Sequence, residues 1–209
     1  MDPSAGRLVV GVSGASGAAY GVRTLEACAE MGVETHLVAS RAAGLTLKQE
    51  TGLSLADLAA RASVAYRPAD VGAAIASGSF RTLGMIVAPC SVRTASEIAT
   101  GVTSSLLTRA ADVTLKERRP LVLMVRETPL HLGHLRTLTR LAEMGAIIAP
   151  PLPAFYVKPA SVAEMVDQSV GRCLDLFGLS WGSVRRWGED VGPLESGPQE
   201  EAPVEDAGA

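Results

Sequence analysis

The chain is 209 residues long, 47% apolar but only 4% aromatic, with a formal charge of −3. That length suits one domain with a core of Ala, Val and Leu, a composition matched to helices packed closely on a parallel sheet. Seven acids (Glu189, Asp190, Glu195, Glu200, Glu201, Glu205 and Asp206) follow the last basic residue, Arg186, so the body is mildly cationic and suits small anionic ligands, with no basic run of the kind that binds nucleic acid.

Leu8 to Val12 reads as a strand, and Ser13-Gly14-Ala15-Ser16-Gly17 joins it to an Ala-rich helix from about Ala18 to Met31, with Gly32 as its stop. Backbone N–H groups and the hydroxyls of Ser13 and Ser16 can close around a phosphate at that helix N-terminus, where the macrodipole favours negative charge. A nucleoside-triphosphate loop requires Lys and then Ser or Thr after its last Gly, but Gly17 is followed by Ala18 and Ala19. A dinucleotide loop requires Gly where Ser13 stands and an acid at the end of the second strand, where Ser40 stands. A mononucleotide such as FMN, with one phosphate and no adenosine ribose, fits both absences. A purely structural strand-to-helix turn is the alternative.

Thr35 to Ala39 is the second strand, a helix from Ala42 carries Glu50 near its end, and Ser54 caps another short helix. Residues 62–82 are weakly patterned and read as a loop region with a helical piece around Asp70 to Ile75. Leu83 to Ala88 is a buried strand ending in Pro89-Cys90-Ser91-Val92-Arg93-Thr94. Thr103 caps a helix through about Glu117, Pro120 to Val125 is a strand, Pro129 starts a helix to Met144, and Gly145 to Ala149 is the fifth strand. A Pro-rich loop with Phe155 and Tyr156 leads to a last helix, capped by Ser161 and running to about Phe177. This alternation implies an α/β fold, a Rossmann-like, doubly wound parallel sheet in a single domain over residues 7–187. Residues 1–6, and an acidic tail over 188–209 rich in Pro, Gly and Ser, are expected to be disordered.

In open α/β sheets ligands sit at the carboxyl ends of the strands. Those ends hold the Ser13 to Ser16 loop, Ser40, Cys90 to Thr94, Arg126-Glu127 and the loop with Tyr156. Arg109, Asp112 and Lys116 share one helix face at i, i+3 and i+7, a spacing that also reads as surface ion pairing. Arg118-Arg119 reads as a solvated turn. Arg126 ends a buried strand and calls for an anionic partner, for which Glu127 is adjacent. His131 and His134 lack a carboxylate at ligand spacing and read as helix-surface residues rather than a metal site. Cys90 reads as packing rather than as a nucleophile. Cys28, Cys90 and Cys173 show no Cys-x-x-Cys spacing, and no stretch has the character of a signal peptide or membrane span. A protein of the reducing cytoplasm, without membrane or nucleic-acid partners, is expected.

Gly11-Val12-Ser13-Gly14-Ala15-Ser16-Gly17-Ala18-Ala19-Tyr20-Gly21, Pro89-Cys90-Ser91, Arg109-Ala110-Ala111-Asp112-Val113, Leu115 to Leu123, Arg126-Glu127-Thr128-Pro129-Leu130 and Pro153-Ala154-Phe155-Tyr156 resemble the UbiX-type flavin prenyltransferases. The likeness runs from about residue 7 to 187. It implies transfer of a dimethylallyl group from dimethylallyl monophosphate to N5 and then C6 of reduced FMN, without a metal, giving prenylated FMN for a UbiD-type decarboxylase. By the same resemblance Gly14, Ala15, Ser16, Ser40, Ser91, Val92, Arg93, Thr94 and Arg126 would hold FMN. Tyr156, Arg172, Lys116 and Arg109 would hold the dimethylallyl phosphate, and Trp187 would close the prenyl pocket. Glu127 as proton handler, Glu50, Lys116, Tyr156 and Ser16 would form the catalytic set. The family's homododecamer, with sites at subunit junctions, is implied too. Two other readings are open: an FMN-dependent oxidative decarboxylase of cysteine type, which shares the fold and loop, and a non-catalytic FMN-binding subunit of a decarboxylase complex. The first carries a Pro-Ala-Ser-Ala-Asn-Thr-like segment where this chain has Pro89 to Thr94. The second would tolerate loss of Lys116, Glu127, Tyr156 and Arg172, all of which are present.

Overall fold

The computed structural model describes residues 6–192. Six parallel strands, β1 (Arg7–Val12), β2 (Glu34–Ala39), β3 (Val64–Tyr66), β4 (Gly84–Cys90), β5 (Leu121–Val125) and β6 (Ile147–Ile148), form one sheet in the order β3-β2-β1-β4-β5-β6. The chain therefore builds outward from β1 to one edge, returns beside β1 at β4, and builds to the other edge. β1, β4 and β5 read as near-continuous apolar runs because both of their faces are covered. α1 (Ala18–Glu30), α2 (Arg41–Thr51), α3 (Leu55–Ala59) and α7 (Val162–Asp175) pack on one face. α4 (Val92–Thr100), α5 (Leu106–Lys116) and α6 (Leu132–Glu143) pack on the other. Small residues set the spacing between layers: a Cβ on Gly21 of α1 would stand 2.5 Å from the Ala88 carbonyl oxygen of β4. Among the described residues no helix is long and apolar enough to cross a membrane.

Several boundaries differ from the sequence expectation, each for a local reason. β3 lies in the stretch expected to be loop. It is a three-residue edge strand, mostly exposed, too short to show alternation and held by pairing to β2. Residues after Cys90 continue directly into α4, whose cap is Ser91 accepting from the Thr94 N–H, whose buried stripe is Ala95, Ile98 and Ala99, and whose stop is Gly101 at φ 72. α5 starts after Ser105 rather than Thr103, because Ser105 and Thr108 close a reciprocal capping box. α6 starts at Leu132 with His131 as its cap, not at Pro129. Gly6, placed at sequence level with the disordered start, accepts the Glu34 N–H through its carbonyl. Residues 188–192 turn back so that Trp187 bridges Val191. Residues 1–5 and 193–209 lie outside the described residues.

Candidate active site

The strand order reverses between β1 and β4, which opens a crevice at their carboxyl ends. Ser13 locks the two ends together. Its buried hydroxyl donates to the Pro89 carbonyl at 2.8 Å and accepts the Ser91 N–H at 2.7 Å. With both functions used between protein groups, Ser13 shapes the crevice and does not face a phosphate, contrary to the sequence expectation. Just beyond it lies a cleft of about 620 Å³ lined by Gly14, Ser40, Ser91, Arg93 and Thr94, together with Ser105 and Thr108. Three helices start here, α2 after Ser40, α4 after Ser91 and α5 after Ser105, so three positive dipole ends and a set of hydroxyls converge. A Cβ on Gly14 would stand 2.5 Å from the Ala42 Cβ, so the approach of α2 to the loop requires glycine.

The start of α1, where sequence reading placed the phosphate, is taken by a protein carboxylate. Glu50, from the end of α2, accepts the Gly17 N–H at 2.9 Å and the Ala18 N–H at 2.8 Å. Burial pushes its carboxyl up. Hydrogen bonds from Ser16, Ala18 and Gly17 and the charge of Arg126 outweigh this and hold it below the ordinary glutamate value. Glu50 is thus an ionised anchor for Ser16 rather than a proton donor. Burial also raises the Tyr20 phenol, against the pull of Arg126. Arg126 is exposed at the end of β5, its N–H donating to the Cys90 carbonyl, and its guanidinium does not pair with Glu127. The expected Arg126–Glu127 pair is therefore absent. Glu127 is also exposed, its carboxylate accepting the Thr128 N–H at 3.0 Å.

A second group of predicted residues sits beyond β5 and β6. Tyr156 stacks edge-on against Trp187, with ring centroids 5.7 Å apart and planes at 84°. Arg172 of α7 lines a separate cavity of about 250 Å³, whose walls include Met124, Pro150, Leu152 and Leu176. Its guanidinium donates to Asp175 at 2.6 Å. Asp175 also receives Arg186 through two bonds of 2.8 Å. Hydrogen bonding from Arg186, offset in part by burial, holds the Asp175 carboxyl below its ordinary value.

Lys116 stands apart from both groups. α5 begins in the cleft at Ser105 and ends at Lys116, about 15 Å away at the amino ends of the strands. There Lys116 pairs with Glu117, while Arg109, one turn into the helix, pairs with Asp112 at 2.7 Å. Arg119 is not merely solvated: it donates to the Phe80 and Gly78 carbonyls at 2.7 Å each. Cys90 is fully buried, its thiol pushed up to about 12 by desolvation, and cannot act as a thiolate nucleophile. Ser105, Thr108 and Gln168 were not foreseen. The Ser-x-x-Thr spacing around a Leu pair was the available signal for the first two; a single Gln in a helix gives none. Among the described residues no group of three His, Cys, Asp or Glu side chains is arranged to hold a metal ion.

The chain matches the family model described as Flavoprotein over residues 2–174. It is 57% identical over 175 residues to flavin prenyltransferase UbiX of Escherichia coli K12, covering 83% of this chain and 93% of that protein. It is 55% identical over 181 residues to flavin prenyltransferase UbiX of Thauera aromatica, covering 87% and 93%. Its fold superposes with a TM-score of 0.86, at 48% identity and 87% and 97% coverage, on the crystal structure of AnUbiX (PadA1) in complex with FMN and dimethylallyl pyrophosphate. It superposes with a TM-score of 0.84, at 50% identity and 87% and 98% coverage, on a structure described as a dodecameric FMN-dependent UbiX-like decarboxylase from Escherichia coli O157:H7.

Proposed function

The chain belongs to the Flavoprotein family and within it to the UbiX-type flavin prenyltransferases, and from that premise we propose how its residues divide the transfer of a dimethylallyl group to reduced FMN. The observation that carries the assignment is the single cleft holding Gly14, Ser40, Ser91, Arg93 and Thr94, five of the residues expected to bind FMN. Its volume falls in the range of about 300–1,000 Å³ usual for such ligands. Its donor set of hydroxyls and helix N-termini suits a phosphate and a polyol chain. Ala15, Ser16, Val92 and Arg126 border the same strand ends. Reduced FMN supplies the nucleophilic N5 when bound.

The donor is dimethylallyl monophosphate, and breaking its allylic C–O bond requires fixed cations on the leaving oxygens and a dry pocket for the allyl group. Arg172 and Tyr156 hold the phosphate, and Trp187 closes over the prenyl chain. Arg109 and Lys116 complete the phosphate site from a second copy of the chain, since Lys116 lies at the amino ends of the strands of its own sheet; the dodecameric relative supports this. Glu50, ionised, orients Ser16. Glu127 accepts the proton lost on ring closure. The product, prenylated FMN, passes to a UbiD-type decarboxylase, and the reaction runs in the cytoplasm.

Protein incubated anaerobically with reduced FMN and dimethylallyl monophosphate, without added metal, is expected to yield an FMN adduct heavier by one C5H8 unit. An unchanged flavin mass would overturn the assignment. Glu127→Gln is expected to retain FMN while stalling prenylation or ring closure. Wild-type turnover by that variant would remove Glu127 from the reaction.

A further inference from the structure

Gln168, in the middle of α7, is only 3% exposed, and neither the flavin set nor the donor set includes it. The orientation of its amide is determined by the main chain. The Arg185 N–H donates to it at 3.0 Å, and only the amide oxygen can accept there. Nε2 is thereby turned the other way, donating to the Arg185 carbonyl at 2.9 Å and to the Tyr156 hydroxyl oxygen at 3.4 Å. A phenol whose oxygen already accepts keeps its one proton free to donate elsewhere. Gln168 lines the same cavity as Arg172, one turn further along α7, and with that cation close by the natural acceptor for the proton is a phosphate oxygen.

The same amide fastens the segment after α7. Arg185 is held by both sides of Gln168, and Arg186 is held by Asp175, about two helical turns further along the same face of α7. These two ties place Trp187 against Tyr156. Apolar packing alone would hold the ring of Tyr156 but would not set which way its hydroxyl points.

We propose that Gln168 is a positioning residue for the donor phosphate. It fixes Tyr156 as a hydrogen-bond donor toward that phosphate and ties down the segment that lays Trp187 over the prenyl group. This rests on the reading of Tyr156 and Trp187 as donor-pocket residues.

The test is Gln168→Glu in the full chain. The introduced carboxylate still accepts from Arg185, but it offers a second acceptor where the amide had a donor, so Tyr156 turns its proton inward and away from the phosphate. At about pH 8 the KM for dimethylallyl monophosphate is expected to rise about tenfold over wild type, with FMN affinity unchanged. As pH falls toward about 5.5 the buried carboxyl takes up a proton and donates again, so the KM ratio to wild type measured at the same pH should return toward one. Comparison at equal pH removes the phosphate's own titration. A ratio near one at every pH, a raised ratio that does not fall with pH, or loss of FMN binding in step with donor binding would each overturn the proposal.

If Gln168→Glu fails to fold, Gln168→Leu and Tyr156→Phe provide the second arm. Their double variant should lose less in KM than the sum of the two single losses, because the Tyr156 hydroxyl is common to both while the tie to Arg185 is not, and fully additive losses would overturn the coupling. Wild-type protein that forms no adduct would instead overturn the donor-site reading on which the proposal rests.

Discussion

Around the β1/β4 crevice the cleft wall is mostly short hydroxyls and glycine, joined by long side chains such as Arg93, and it is mounted on the strand ends and on the starts of α2, α4 and α5. Around α7 the corresponding groups are long side chains, Tyr156, Arg172 and Trp187, each at least 40% exposed or carrying a side chain at least that exposed, and each held by only one or two neighbours. The cleft at the crevice draws a full wall from this one chain; the α7 region has one cation in its cavity while Lys116 stands at the amino ends of the strands. On the proposed assignment, a pocket built on strand ends and helix starts would bind the flavin, while the more exposed side chains would be left for a donor whose phosphate must depart.

The largest expected effects come from separating the two regions by mutation. Arg172→Ala and Lys116→Ala should each lower kcat/KM for prenyl transfer by about 10²-fold or more, the cost of losing one donor to a developing anion, while FMN affinity stays at the wild-type value. Mixed assemblies of the two inactive variants should regain activity, because some junctions then join an intact Arg172 to an intact Lys116. Mixtures as inactive as either parent would show that the two residues do not serve one site.

Next in size is Ser13→Ala, which strikes the crevice alone. It leaves the part-buried Ser91 N–H without its acceptor, at a cost of about 1 kcal/mol measurable by urea denaturation. FMN affinity should fall with it, since Ser91 caps α4 at the cleft wall. The KM for the donor at saturating FMN should hold. A variant with unchanged stability would mean that the hydroxyl's two bonds are replaced by water.

How each region reads in sequence follows from how each is built. The crevice was legible because a parallel strand announces itself by an apolar run and its ligand-facing residues come immediately after it, so Ser40, Ser91 and Thr94 could be located without knowing the packing. Even there the α1 N-terminal N–H groups, expected to face a phosphate, are taken by Glu50, which reaches them across 33 positions of sequence, a contact that no local pattern encodes. The cap role of Ser105 was hidden by Thr103, two residues earlier and equally good in type. Around α7 the determining contacts run over 12 to 17 positions, from the Gln168 side chain to the Tyr156 hydroxyl and to the Arg185 main chain among them. Their residue types are common, so resemblance named Tyr156 and Arg172 but nothing in the sequence named what holds them.

The smallest effect tests whether both regions depend on an ionised carboxylate. Glu50 in the crevice and Asp175 beside α7 both have carboxyl groups held below their ordinary values in the folded state. A depressed folded value means that the unfolded chain binds protons more readily, so each group adds stability at pH above its ordinary value and loses that stability as pH falls through the depressed folded value. Between these limits stability should decline with acidification, and Glu50→Gln should flatten part of that decline while costing on the order of 0.5 kcal/mol near neutral pH, a small sum because the side chain is largely exposed. Asp175→Asn should flatten a separate, more acidic part, since aspartate's ordinary value lies below glutamate's. Urea midpoints measured from neutral pH down to about pH 3 separate the two windows. An acid limb that persists unchanged in both variants would assign it to other carboxylates, and the crevice and the α7 region would then differ in geometry but not in their dependence on charge.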